Sequence, residues 1–192
     1  MTKLMTILLI ILAVFIAVGA AGCLGGDDGT DSGDGTDNDS VPAVSVGSLN
    51  YSTNIVTVSN LPAGFEFLST QSVKSHGEGI GITDVLYGYR GYYKFANDSV
   101  TNATVYFYCF KTNTSADASK YLQQMNTSYE NSYSASVSEI TLNGHSAAKL
   151  TSDSGPDMIG WTRDNLIFVV KGQVPGQVDY DTIESLAVAS GL

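Results

Sequence analysis

Residues Asn102–Lys111 read NATVYFYCFK, the strongest strand signal in the chain and the one that decides the fold. Successive side chains of a strand point to opposite faces. Val105, Phe107 and Cys109 therefore share one face, and Tyr106, Tyr108 and Phe110 share the other. A strand that is apolar or aromatic on both sides is covered on both sides, which places it inside a sheet.

Downstream, Thr114 or Ser115 can cap a helix with Asp117 in its first turn. Ala118, Tyr121, Leu122, Met125 and Tyr129 recur at three- and four-residue spacing, so their stripe is expected to face the sheet. Val137–Leu142 and Ala147–Leu150 flank Asn143-Gly144, a strong hairpin signal because both residues tolerate positive φ. Met158–Arg163 and Leu166–Lys171 flank Asp164-Asn165 and form a second hairpin, with Trp161 as its large core residue. The last segment reads as a short helix capped by Asp179, with Ile183, Leu186 and Ala187 inward.

Upstream, Ile55–Val58, Phe65–Leu68 and Asp84–Phe95 (DVLYGYRGYYKF) carry the β-branched and aromatic content of strands, and Leu61-Pro62-Ala63-Gly64 punctuates the first pair. Ser72–Gly81 (SVKSHGEGIG) has three glycines and few apolar residues, so it is expected to be a mobile loop. The order is thus strands, helix, four strands, helix. It predicts an α+β domain with one antiparallel sheet of about six or seven strands and two helices packed on a face of it.

This order resembles that of the Mog1/PsbP-like domains, a family that includes small secreted bacterial lipoproteins, and it is also similar to short archaeal surface lipoproteins. The resemblance rests on Leu61-Pro62-Ala63-Gly64-Phe65, the helix around Tyr121-Leu122, the run Ile140–Leu150 (ITLNGHSAAKL), the hairpin with Trp161 and the closing helix. Its motifs are hydrophobic and turn positions. The resemblance implies a fold and a role in binding or assembly at a surface, with no catalytic residues.

The N-terminus is of another kind. Lys3 precedes an uncharged apolar run, Met5–Val18, in the order of a secretory signal. Ala20-Ala21-Gly22-Cys23 resembles a lipobox, which in bacterial and archaeal lipoproteins directs lipid onto the cysteine. Residues 1–22 are then a signal peptide and Cys23 is the lipidation site. The alternative is an uncleaved anchor, because Thr6–Ala21 is only slightly shorter than a membrane span. Either way the positive-inside bias places the rest of the chain outside the cell, attached to the membrane.

Residues 24–40 consist almost wholly of Gly, Asp, Thr and Ser and cannot bury enough surface to offset ordering entropy, so 23–40 reads as a lipidated residue and its linker. Residues 41–192 form one domain, large enough for a core without cross-links. Cys109 is expected to be a buried thiol.

The net charge is −10, with six of 19 acids in the linker and no Lys/Arg cluster, which argues against nucleic acid as a partner. Two histidines, His76 and His145, lack companions at ligand spacing, so no metal or cofactor is expected; His76 with Glu78 is the nearest approach to a site. No Gly-X-Ser-X-Gly elbow or phosphate loop occurs, and an enzyme is the least favoured reading.

Asn38, Asn50, Asn97, Asn102, Asn113 and Asn126 begin glycosylation sequons. The candidate binding feature is the cluster Tyr87, Tyr89, Tyr92 and Tyr93 with Arg90 among them, since alternating tyrosines give one strand face amphipathic rings suited to sugars, peptides or proteins. The expected function is a non-enzymatic surface domain that binds an unidentified ligand or partner protein. A structural or accessory component of an envelope complex is the alternative.

Mass spectrometry of the chain recovered from membranes is expected to find Cys23 at the N-terminus carrying lipid. A full-length chain with Met1 intact, dissolved in the cell interior, contradicts the export reading.

Overall fold

The structure is a computed structural model that describes residues 49–192. The leader, Cys23, the linker and Asn38 lie outside the described residues. Three strands, β1 (Phe65–Lys74), β2 (Tyr87–Phe95) and β3 (Ala103–Lys111), precede helix α1 (Ser115–Tyr133). Four more follow, β4 (Ser136–Leu142), β5 (His145–Thr151), β6 (Met158–Arg163) and β7 (Leu166–Gly172), and helix α2 (Tyr180–Ala189) closes the chain. All seven strands join one antiparallel sheet in the order β1-β2-β3-β7-β6-β5-β4.

That order follows from two meanders and one crossover. β1, β2 and β3 follow one another as an antiparallel meander, α1 carries the chain to the far edge, and β4 to β7 fold back until β7 pairs with β3, Val105 opposite Gly172 and Lys111 opposite Leu166. Every residue of β7 is buried. An Asn165 side-chain amide donating to the Thr112 carbonyl at 2.8 Å ties the β6–β7 turn to the end of β3.

The predicted caps hold α1 and α2. Thr114 Oγ1 accepts from the Asp117 amide at 3.1 Å while the Asp117 carboxylate accepts from the Thr114 amide, a closed capping box. Asp179 accepts from the Thr182 amide at 2.9 Å. The β4–β5 turn has both Asn143 and Gly144 at positive φ, and the Asn143 amide also donates to the Val188 carbonyl at 3.1 Å near the end of α2.

The two helices lie on opposite faces of the sheet, where the sequence reading put both on one. Val105, Phe107, Cys109, Trp161, Phe168 and Val170 form one core with Ile183, Leu186 and Ala187 of α2. Tyr108, Phe110, Leu150, Met158, Ile167 and Val169 form the other with Ala118, Met125 and Tyr129 of α1. Helix stripes report which side of a helix is buried but not which side of the sheet buries it. Trp161 is fully buried and stacks with Phe168 at 5.3 Å, as the large core residue it was expected to be.

Helix α1 packs on β6, β7, β5 and β4 and helix α2 on β7 and β6, so the β1–β2–β3 half of each face needs other cover. On the α2 side it comes from the segment before β1. Residues Ile55–Val58, expected as a strand, contribute instead to a 3-10 turn (Thr53–Val56), with Val56 and Val58 plugged into the core. Gly91 makes room for this, since a Cβ there would stand 2.5 Å from the Val56 carbonyl oxygen.

On the α1 side the cover is the segment expected to be a mobile loop. β1 runs through Lys74, and beyond it Ile80 and Ile82 are 0% and 3% exposed. Ser75 closes the neck of the loop. Its amide donates to the Leu86 carbonyl at 2.8 Å, and its hydroxyl accepts from the Leu86 amide and donates to the Asp84 carbonyl. The three glycines of Ser72–Gly81 masked Ile80, and Ile82 follows one residue beyond that segment.

Ile80→Ala is expected to destabilise the protein by about 2–5 kcal/mol, the cost of a core cavity, read as a lowered denaturation midpoint. A change within about 0.5 kcal/mol, as at a solvated loop, would restore the mobile-loop reading.

Candidate functional site

The period-two geometry of β2 divides the predicted cluster between the two faces of the sheet. Tyr87, Tyr89 and Tyr93 follow the α2 side, whereas Arg90 and Tyr92 follow the α1 side. The five residues do not form one surface.

Tyr93 is a core residue. It is fully buried, its hydroxyl donates to the Val56 carbonyl at 2.6 Å and accepts from the Val58 amide at 3.0 Å, and burial pushes its phenol up to about 12. Its task is to fasten the 3-10 segment to the sheet.

Tyr87 and Tyr89 lead outward. Tyr89 packs against Tyr51 with ring centroids 5.1 Å apart, and the Tyr51 hydroxyl donates to the Tyr87 carbonyl at 3.1 Å. Burial pushes the Tyr51 phenol up to about 12. The Tyr87 ring itself is 63% exposed, with the Lys74 ammonium 5.2 Å from its centroid.

Tyr87 is the wall between two open clefts. One, of about 390 Å³, is lined by Tyr51, Tyr87, Tyr121, Lys111, Asn113 and Asp117 together with Val85, Leu86 and Thr112. The other, of about 400 Å³, is lined by Ser72, Val73, Lys74, Gly77 and Glu78. The first combines three tyrosine rings with an ammonium, an amide and a carboxylate. Such a surface can stack a ring, donate hydrogen bonds and exchange little else.

Tyr51, Tyr121 and Lys111 are members that sequence reasoning did not assign to a site. Tyr121 was read as part of the sheet-facing stripe, and it does pack partly on that core. Tyr51 reaches β2 across 36 residues of chain, a contact with no local signal.

On the opposite face Arg90 sits among tyrosines. Its guanidinium lies 4.5 Å from the Tyr92 ring centroid, 5.0 Å from that of Tyr106 and 5.7 Å from that of Tyr108. It pairs with the Glu78 carboxylate and donates to Gln71 at 3.0 Å and to the Tyr92 hydroxyl. Burial pushes the Tyr108 phenol up, and the adjacent guanidinium partly offsets this. Glu78, considered with His76 as a metal pair, is thus committed to Arg90, and His76 is exposed. Among the described residues no group of three or more His, Cys, Asp or Glu side chains could hold a metal ion.

Cys109 is buried and unpaired, and burial pushes its thiol up. Of the sequons, Asn50, Asn97, Asn102 and Asn113 are exposed outside helices and strands, whereas Asn126 lies within α1, half-buried, its side-chain oxygen closed off from solvent.

No protein-family profile, curated protein or solved structure matches this chain.

Proposed function

We propose that this chain is a membrane-anchored extracytoplasmic lipoprotein whose folded domain binds a ligand or partner at the cell surface through the tyrosine cleft, without catalysing a reaction. The exposed Tyr87 ring, walled by Tyr51 and Tyr121, carries the reading. Large aromatic rings are normally drawn into cores, and one held two-thirds exposed at the junction of two clefts is placed for contact. The leader, the lipobox-like Ala20–Cys23 and the Gly/Asp linker support the anchorage on sequence grounds.

The order of strands and helices supports a Mog1/PsbP-like domain, a fold that carries binding and assembly roles and leaves chemistry to individual sites. The alternative, an accessory component of an envelope complex, draws on β4. It is an edge strand with one pairing partner, and Ser136–Glu139 are all exposed along it.

Pull-down from detergent-solubilised envelope, comparing the full chain with Tyr87→Ala, tests the cleft. The variant is expected to keep the wild-type fold by circular dichroism and to lose at least about tenfold in capture of its envelope partner, the scale of an aromatic anchor. Equal capture by both chains would remove the cleft from the function.

A further inference from the structure

Strand β4 leaves one of its two hydrogen-bonding edges without a partner among the described residues, and so does β1 at the other end of the sheet. The two edges differ. β1 is broken by a register shift between Phe67 and Ser69, and an irregularity of that kind protects an edge from further pairing. β4 pairs one-to-one with β5 from Ser136 to Leu142 without a shift, and it carries neither proline nor lysine. Alternate residues of such an edge turn an unpaired N–H and C=O outward, a template for one more strand.

Beside that edge lies a cleft of about 310 Å³ whose walls include Val137, Glu139, Ser146 and Ala148 from β4 and β5 and Leu122 and Asn126 from α1. Val137 and Glu139 pair with Leu150 and Ala148, both members of the α1 core, so their side chains stand on the cleft side of the sheet. Val137 is 38% exposed. Glu139 is exposed as well and is the one charged residue lining the cleft. One of its carboxylate oxygens accepts from the Ser146 hydroxyl at 2.6 Å, and the other meets no donor among the described residues.

We propose that β4 pairs with an extended segment of a partner protein that sets a lysine or arginine opposite Glu139 and an apolar side chain two residues away, against Val137. Main-chain hydrogen bonds to the open edge supply the pairing, and the cleft selects the side chains. A second copy of this chain is the poorer occupant. Glu139 is the central residue of Ser136–Leu142, so two β4 strands paired antiparallel over their full length set Glu139 against Glu139. Like charges directly opposite one another oppose pairing, and the net charge of −10 acts in the same sense at longer range. The edge site stands apart from the tyrosine cleft, so the result for Tyr87→Ala and the result at β4 are separate.

Two blocked peptides, acetyl-Thr-Val-Thr-Lys-Thr-Val-Thr-amide and its counterpart with Glu in place of Lys, test this by NMR titration and amide hydrogen exchange on the full chain in detergent. The lysine peptide is expected to bind saturably, to slow exchange along β4 and not along β1, and to bind at least about threefold more tightly than the glutamate peptide, the scale of one cross-strand charge pair. Glu139→Lys, at an exposed position, is expected to cut that preference at least about fivefold. Glu66→Lys makes the same change in net charge at an exposed position of β1 and is expected to leave the preference unchanged. Absence of saturable binding, binding without protection of β4, or an equal effect of the two substitutions overturns the proposal. Protection of β4 that rises with protein concentration in the absence of peptide identifies a second copy as the occupant and overturns it too.

Discussion

The pairing of β3 with β7 is the constraint on which the rest of the molecule depends. Both strands are interior and both carry large apolar side chains on each face, so neither can sit at an edge or show a face to water. Two cores have to be closed. The α1 crossover makes this possible, because it sends the chain to the far edge and lets the second meander return to β3. The caps at Thr114 and Asp179 fix where each covering helix begins.

Closure is divided between helices and irregular segments. Each helix is too narrow to cover seven strands, so the β1–β2–β3 half of the sheet is sealed by the turn around Val56 on one side and by Ile80 and Ile82 on the other. Both seals are fastened by polar contacts, Tyr93 with the Val56–Val58 backbone and Ser75 with the Asp84–Leu86 backbone. The polar features follow from the same allocation. Where the seals stop short, the tyrosines of β2 come to the surface on one face, and Arg90, Tyr92 and Tyr106 come near it on the other.

Local physics made much of this legible in the sequence. NATVYFYCFK announced a two-faced interior strand, Asn143-Gly144 a tight hairpin, and Thr114 with Asp117 a helix start, because each signal lies within a few neighbouring residues. What escaped was long-range. Ile55–Val58 has strand composition, but its backbone is claimed by Tyr93, some 35 residues away. The glycines around Glu78 read as mobility, while the isoleucines beside them are held by a core assembled from distant strands. The tyrosine cluster was found as a composition, but period-two alternation sent its members to different faces, and the cleft was completed by Tyr51 and Tyr121 from elsewhere in the chain.

Amide hydrogen exchange of the full chain tests the two-core account most directly. The amides of Phe107, Tyr108, Phe168 and Val169 are expected to exchange only through global unfolding and to be the slowest in the protein, with those of edge strand β4 far faster. If β3 and β7 exchange as fast as β4, they do not form a centre buried on both faces, and the account fails.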